Sequence, residues 1–174
     1  MKKQFLLSIF LISLLFLTSF ASAQNYSVWL HTVDIEINSI GDAQISEKFH
    51  LFFPTDEDKL HFRNLSARFG SDIKDWQAFN PNFVPTIGST NIINGKIAYS
   101  EDEANYLELS YGLTDSIMAK GKENSLVAEY NIKANYFNSL YESGLWVIPD
   151  NTQINIILPP GAEVKDSIEP TALI

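Results

Sequence analysis

From Tyr26 to Phe53 the chain alternates apolar and polar residues with a period of two, broken once at Ser39-Ile40-Gly41-Asp42. Period two marks strands with one face in a core and the other toward water. Trp29, His31, Val33, Ile35 and Ile37 share one face of the first run, with Asp34, Glu36 and Asn38 opposite. In the second run Ala43, Ile45, Glu47, Phe49, Leu51 and Phe53 share a face, against Gln44, Ser46, Lys48 and His50. The break carries a turn signal. A slip of one residue would set apolar groups against polar ones. With Ile40-Gly41-Asp42 as the loop, the expected pairs are Ile37 with Ile45, Val33 with Phe49 and Trp29 with Phe53. The one misfit is Ile35 against Glu47.

Beyond the hairpin, Thr55 followed by Asp56-Glu57-Asp58 predicts a helix with Thr55 as N-cap and acids in the first turn, where the dipole favours them. Leu65 and Phe69 continue an apolar stripe begun by Leu60 or Phe62, and Gly70 is the expected stop. A second short helix is expected over 72–79. Pro81 and Pro85 prevent its continuation, since each removes a donor and fixes φ. Strand patterns resume over 91–99 (with a turn signal at Asn94-Gly95), 106–113, 126–136, 144–148 and 152–158. The expectation is a mainly β fold: an immunoglobulin-like β-sandwich of seven to eight strands with a short helical insertion between strands 2 and 3.

The chain opens with Lys2-Lys3, an apolar stretch from Phe5 to Phe20, and Ala21-Ser22-Ala23. That is the pattern of a secretory signal peptide over 1–23, cleaved before Gln24. The apolar stretch is shorter than the roughly 20 residues that a membrane-spanning helix requires. Residues 24–174 then form a single extracytoplasmic domain of 151 residues, long enough to bury a core. Loss of the two leader lysines leaves 10 cations against 21 anions, a net charge of −11. So acidic a body repels phosphates, which excludes nucleic acid as a partner. There is no cysteine, so disulfides, thiolate nucleophiles and thiolate metal sites are excluded.

The segments "VDIEINSIGDAQISEKFHLFF" and "LWVIPDNTQINIILPPGAEV" carry a resemblance. The first is a strand, a Gly-Asp turn and a strand with Glu amid its apolar positions. The second is an apolar strand, a turn, and a strand running into Leu-Pro-Pro-Gly. Together they resemble the N-terminal extracytoplasmic β-sandwich domain of uncharacterised, mainly archaeal, membrane-anchored surface proteins. That resemblance implies a cell-surface location and supplies no catalytic residue. In that group a transmembrane helix usually follows, whereas this sequence stops at Leu173-Ile174 without one. The expectation is therefore a secreted variant or a C-terminally truncated ectodomain, with membrane attachment only through the signal peptide or a missing C-terminal anchor.

Candidate chemistry is sparse. His31 lies on the inner face of the hairpin, His50 on the outer, and His61 on a separate helix, so they do not converge as tetrahedral zinc requires. Asp56-Glu57-Asp58 reads as a helix start and Glu101-Asp102-Glu103 as a solvated turn; loose calcium binding there lacks EF-hand spacing. No Gly-x-Ser-x-Gly elbow and no phosphate-cradling loop is present, so no catalytic residue, metal or cofactor is assigned. Glu47 is the exception, a carboxylate on an apolar face where an unpaired charge is costly. The only arginines, Arg63 and Arg68, lie in the adjacent helical insertion. The expected role is structural: one arginine caps Glu47 and docks the insertion. Asn25 and Asn64 begin Asn-x-Ser acceptor patterns for glycosylation.

The sequence thus points to a non-enzymatic exported surface or interaction domain, with an unknown protein or glycan at the cell envelope as partner. The alternative is a secreted carbohydrate-binding module. Trp76, Phe79, Phe83, Tyr130, Tyr136 and Tyr141 are its candidate stacking residues, although their spacing fits core packing better. A third reading, a hydrolase, needs two carboxylates or a Ser–His pair converging in one pocket.

Overall fold

The computed structural model describes residues 25–88, 90–102, 104–123 and 127–165. The signal peptide and its cleavage site, Glu103, Leu126 and the C-terminal end lie outside the described residues.

The fold is mainly β. Strands β1 (Ser27–Ile37), β2 (Ala43–Phe52), β3 (Ile92–Ser100), β4 (Tyr106–Leu113) and β9 (Thr152–Ile157) form one sheet in the order β3-β4-β2-β1-β9. Its pairs are antiparallel except β1–β9, which run parallel, so the two ends of the described chain meet at one edge. Strands β5 (Met118–Glu123) with β6 (Ala128–Ile132), and β7 (Tyr141–Glu142) with β8 (Leu145–Trp146), make two separate ribbons. Helices α1 (Asp56–Ser66) and α2 (Ile73–Phe79) lie between β2 and β3, and a 3-10 helix spans Ala134–Leu140.

Burial alternates strictly along the central strands. Val33, Ile35, Ile45, Phe49, Leu107, Leu109 and Tyr111 point inward, while Asp34, Gln44, Ser46, Lys48 and Glu108 point outward. The residues that pack on the inner face come from α1 (Phe62), α2 (Ile73 and Trp76), the irregular segment 80–88 (Phe83 and Ile87), the 3-10 helix (Tyr136), and the β5–β6 ribbon with the residue before it (Ile117, Met118 and Ile132). The β5–β6 ribbon sits beside the β1–β2 turn, where Ser116 Oγ donates to the Gly41 carbonyl.

The hairpin keeps the expected faces but slips by two residues. Ile37 pairs with Ala43, Ile35 with Ile45, and Val33 with Glu47. A shift of two preserves every side chain's face, so period two cannot detect it. The turn decides. The Asn38 side chain accepts from the amides of Ile40 and Asp42, both at 3.0 Å. The Asn38 amide donates to the Asp42 carbonyl at 2.9 Å, closing the loop there. Trp29 departs further, since a bulge between Val28 and Leu30 takes it away from Phe53.

Elsewhere Thr55 caps α1 as expected, accepting from the Asp58 amide. The helix stops at Ser66, short of Gly70, with Ala67 as its C-cap, and Asp72 caps α2 by accepting from the Lys74 amide. Asn94 has φ +54 within a bulge of β3 rather than in a hairpin turn. The run expected as one strand over 126–136 divides into β6 and the 3-10 helix.

Gly41 (φ +88) is required by its backbone and its surroundings, since an added Cβ would stand 2.6 Å from Ser116 Oγ and 2.9 Å from Met118 Cβ. Gly144 has the same φ, +89, with nothing within 4 Å. Gly144→Ala should cost about 1–2 kcal/mol, the left-handed strain alone. Gly41→Ala should cost more, and equal shifts of the urea midpoint for the two variants would show that the Ser116–Met118 contact carries no weight.

Candidate functional site

Glu47 is fully buried, 0% exposed. Its Oε1 accepts from the Thr86 amide at 2.7 Å and from the Tyr111 hydroxyl. Its Oε2 accepts from Thr86 Oγ1 at 2.7 Å and lies 3.1 Å from His31 Nε2. A carboxylate can only accept, so the His31 proton belongs on Nε2 in this contact. His31 is itself fixed by stacking on Phe49, with ring centres 4.3 Å apart and planes 8° apart. Burial, and then the negative charge of Glu47, push the Tyr111 phenol well above the ordinary tyrosine range, which keeps it a donor. The same hydroxyl accepts from the Ile87 amide at 3.1 Å. The cluster is a clamp that holds segment 80–88 on the sheet.

Neither arginine takes part. Arg63 makes a two-toothed contact with Glu101 in the β3–β4 loop, with Nε 2.6 Å from Oε1. This pairing holds the Glu101 carboxyl below its ordinary value. Lys59 Nζ adds a contact to Glu101 at 3.7 Å. Arg68 is exposed past the end of α1. The expected Glu47–arginine cap is therefore replaced by donors from His31, Thr86 and Tyr111. A guanidinium brought into this core would have lost its hydration, whereas a backbone amide and a phenol satisfy the same lone pairs at less cost. The helical insertion is docked at its surface by Arg63–Glu101 instead.

Of the two acceptor asparagines, Asn25 donates its amide to Asp58 at 2.8 Å and Asn64 is exposed on α1. Both line one open groove beside Tyr26 and Leu65. The aromatic residues weighed for sugar stacking divide. Trp76, Phe83 and Tyr136 are core residues. Phe79 packs partly buried against that core, and Tyr130 and Tyr141 are exposed on the two ribbons.

A different aromatic set is brought together on the outer face. The bulge in β1 puts both Trp29 and Leu30 between the inward-facing Val28 and His31, and Trp29 emerges 56% exposed. Its ring centre is 5.6 Å from that of His50 on β2, and His50 is 6.0 Å from Tyr106 on β4. His50 and Tyr106 are register partners. The row therefore crosses three adjacent strands. Lys48 Nζ lies 5.1 Å from the Tyr106 ring centre. Phe52, two residues past His50 on the same face, is equally exposed. Burial, then the charges of Lys48 and His31, hold the His50 imidazole below its ordinary value. Its Nδ1 is buried without a hydrogen-bond partner. The sequence concealed this row because strict alternation assigns Trp29 to the inner face; only a bulge re-aims it.

Among the described residues no group of three His, Asp or Glu side chains is placed to hold a metal ion, and no helix is long and apolar enough to cross a membrane. No family model, no curated protein and no solved structure matches this chain.

Tyr111→Phe should lower stability by about 1–3 kcal/mol, because it strands the Ile87 amide and removes one donor to Glu47. Glu47→Leu strands the amide and hydroxyl of Thr86 and the His31 ring N–H together, while Tyr111 keeps the Ile87 carbonyl as acceptor, and it should cost more. Urea midpoints within error of wild type for both would show that the clamp carries no weight.

His50 also gives a pH signature. Its folded-state value lies below the ordinary 6.5. As pH falls through that value the unfolded chain takes up a proton that the native ring resists, so stability falls. The loss stops once the native ring protonates as well. The fall in urea midpoint between about pH 7.5 and pH 5.5, a window around the ordinary histidine value, should be smaller in His50→Gln. An unchanged fall would exclude His50 as its source.

Proposed function

We propose that this chain is a non-enzymatic exported domain that works at the cell surface by binding. The observation that carries the reading is Trp29, a large aromatic side chain turned out of the core by a bulge and left over half exposed. Such a side chain forgoes roughly 1.5–3 kcal/mol of burial, a cost that binding would recover. The leader pattern of residues 1–23 and the resemblance to surface-protein ectodomains support the location. The hydrolase reading gains nothing from Glu47, since four donors occupy its oxygens inside the core. The immunoglobulin-like sandwich that the resemblance implies would need the β5–β6 ribbon to act as a second sheet, and the binding reading does not depend on it.

Expressed from its full sequence in a secreting host, the chain should be recovered outside the cytoplasm with Gln24 at its N-terminus. The recovered protein should then co-sediment with isolated envelopes of its source cells. Retention in the cytoplasm with Met1 intact would overturn the location, and failure to sediment would overturn the binding role.

A further inference from the structure

The row on the outer face has a geometry that narrows the ligand, a narrowing that rests on the binding role just proposed. The face around it is polar. Ser46 donates to Glu108 at 2.7 Å, and Asn155 donates to Asp34 at 2.7 Å. The aromatic surface is thus a narrow strip across three strands, widened on β2 by Phe52 beside His50 and bordered by polar residues, unlike the contiguous apolar centre of a protein interface. Strand-borne aromatic rings on a firm sheet offer flat apolar faces at low entropy cost. Lys48 and Glu108 flank them with donors and acceptors for hydroxyl groups. The chain is strongly acidic, so a neutral ligand approaches without repulsion while an anionic one does not. Trp29 and His50 are tilted by 57°, and His50 and Tyr106 by 50°. A flat crystalline surface cannot touch all three rings, whereas a single flexible chain can.

We propose that Trp29, His50 and Tyr106 form a platform for a neutral saccharide chain, taken up as a single soluble strand by stacking against its sugar rings. Trp29 supplies the largest contact, Tyr106 the second, and Lys48 and Glu108 set the orientation. The rings differ from the core aromatics Trp76, Phe83 and Tyr136, so the platform can be removed without opening the core.

The test uses the full-sequence protein recovered from the secreting host, run through native gels containing laminarin, mannan or hydroxyethylcellulose. Retardation is expected in at least one of these neutral polymers, and microcrystalline cellulose should not retain the protein. Trp29→Ala should weaken the retarded complex tenfold or more, and Tyr106→Ala by a smaller factor. Lys74→Ala, on the exposed surface of α2, is the control and should leave it unchanged. Urea midpoints of the variants near that of wild type establish that they fold. No retardation in any of the three polymers, or retardation that survives Trp29→Ala, overturns the proposal. Envelopes stripped of protein by protease separate this failure from that of the binding role. Sedimentation kept after stripping and lost in Trp29→Ala supports the saccharide platform. Sedimentation abolished by stripping leaves the binding role standing with a protein partner and overturns the platform.

Discussion

Glu47 sits between Ile45 and Phe49 on a strand whose inward neighbours are apolar, and a carboxylate there destabilises the fold unless donors surround it. The donors come from three other places in the chain: His31 on β1, Thr86 in the segment after α2, and Tyr111 on β4. Pro81 and Pro85 bar helix and strand alike over the 80–88 segment, so its amides find partners one by one. Glu47 accepts both the amide and the hydroxyl of Thr86, and the segment in turn brings Phe83 and Ile87 into the core. Tyr136 continues the chain of dependence, because its carbonyl accepts from the Gly88 amide at 2.7 Å. In a chain without cysteine, one buried acid ties distant stretches together where a disulfide is unavailable.

That clamp works on one side of the sheet only. The outer face is stabilised by cross-strand polar pairs, which keep it hydrated and need no second layer. The sheet is therefore held firm from behind while its front stays open. A ligand platform on such a face inherits the rigidity of the core without sharing its side chains. Substitutions on the two faces should then act almost independently.

The alternation from Tyr26 to Phe53 made the hairpin, its faces and the inward placement of Glu47 legible, because burial is what writes period two into a sequence. It could not fix the register, since a shift of two leaves the pattern unchanged, and the Asn38 side chain chose between the alternatives. It pointed to the arginines as partners of Glu47 because charge is visible in sequence. A backbone amide at Thr86 and a phenol at Tyr111 are not, being separated from Glu47 by 39 and 64 residues. The helix starts were readable from Thr55 and Asp72, whose side chains cap them. The layer over the inner face was not, because Phe62, Trp76 and Phe83 would suit a second sheet as well as helices and a loop.

The bulge that exposes Trp29 lies where the edge of the sheet changes character. Pairing of β1 with β9 begins at His31 opposite Thr152, so residues 27–30 have a strand partner on the β2 side alone. In place of a further β9 residue, the Asn151 side chain donates to the Val28 carbonyl at 3.2 Å, and the His31 amide donates to the Asn151 carbonyl at 2.7 Å. A strand bonded on both sides resists an extra residue, because both ladders would have to break, while one bonded on a single side admits it. The end of β9 therefore sets where the bulge can form. The outward turn of Trp29 is as much a consequence of the last strand in the sheet as of the first.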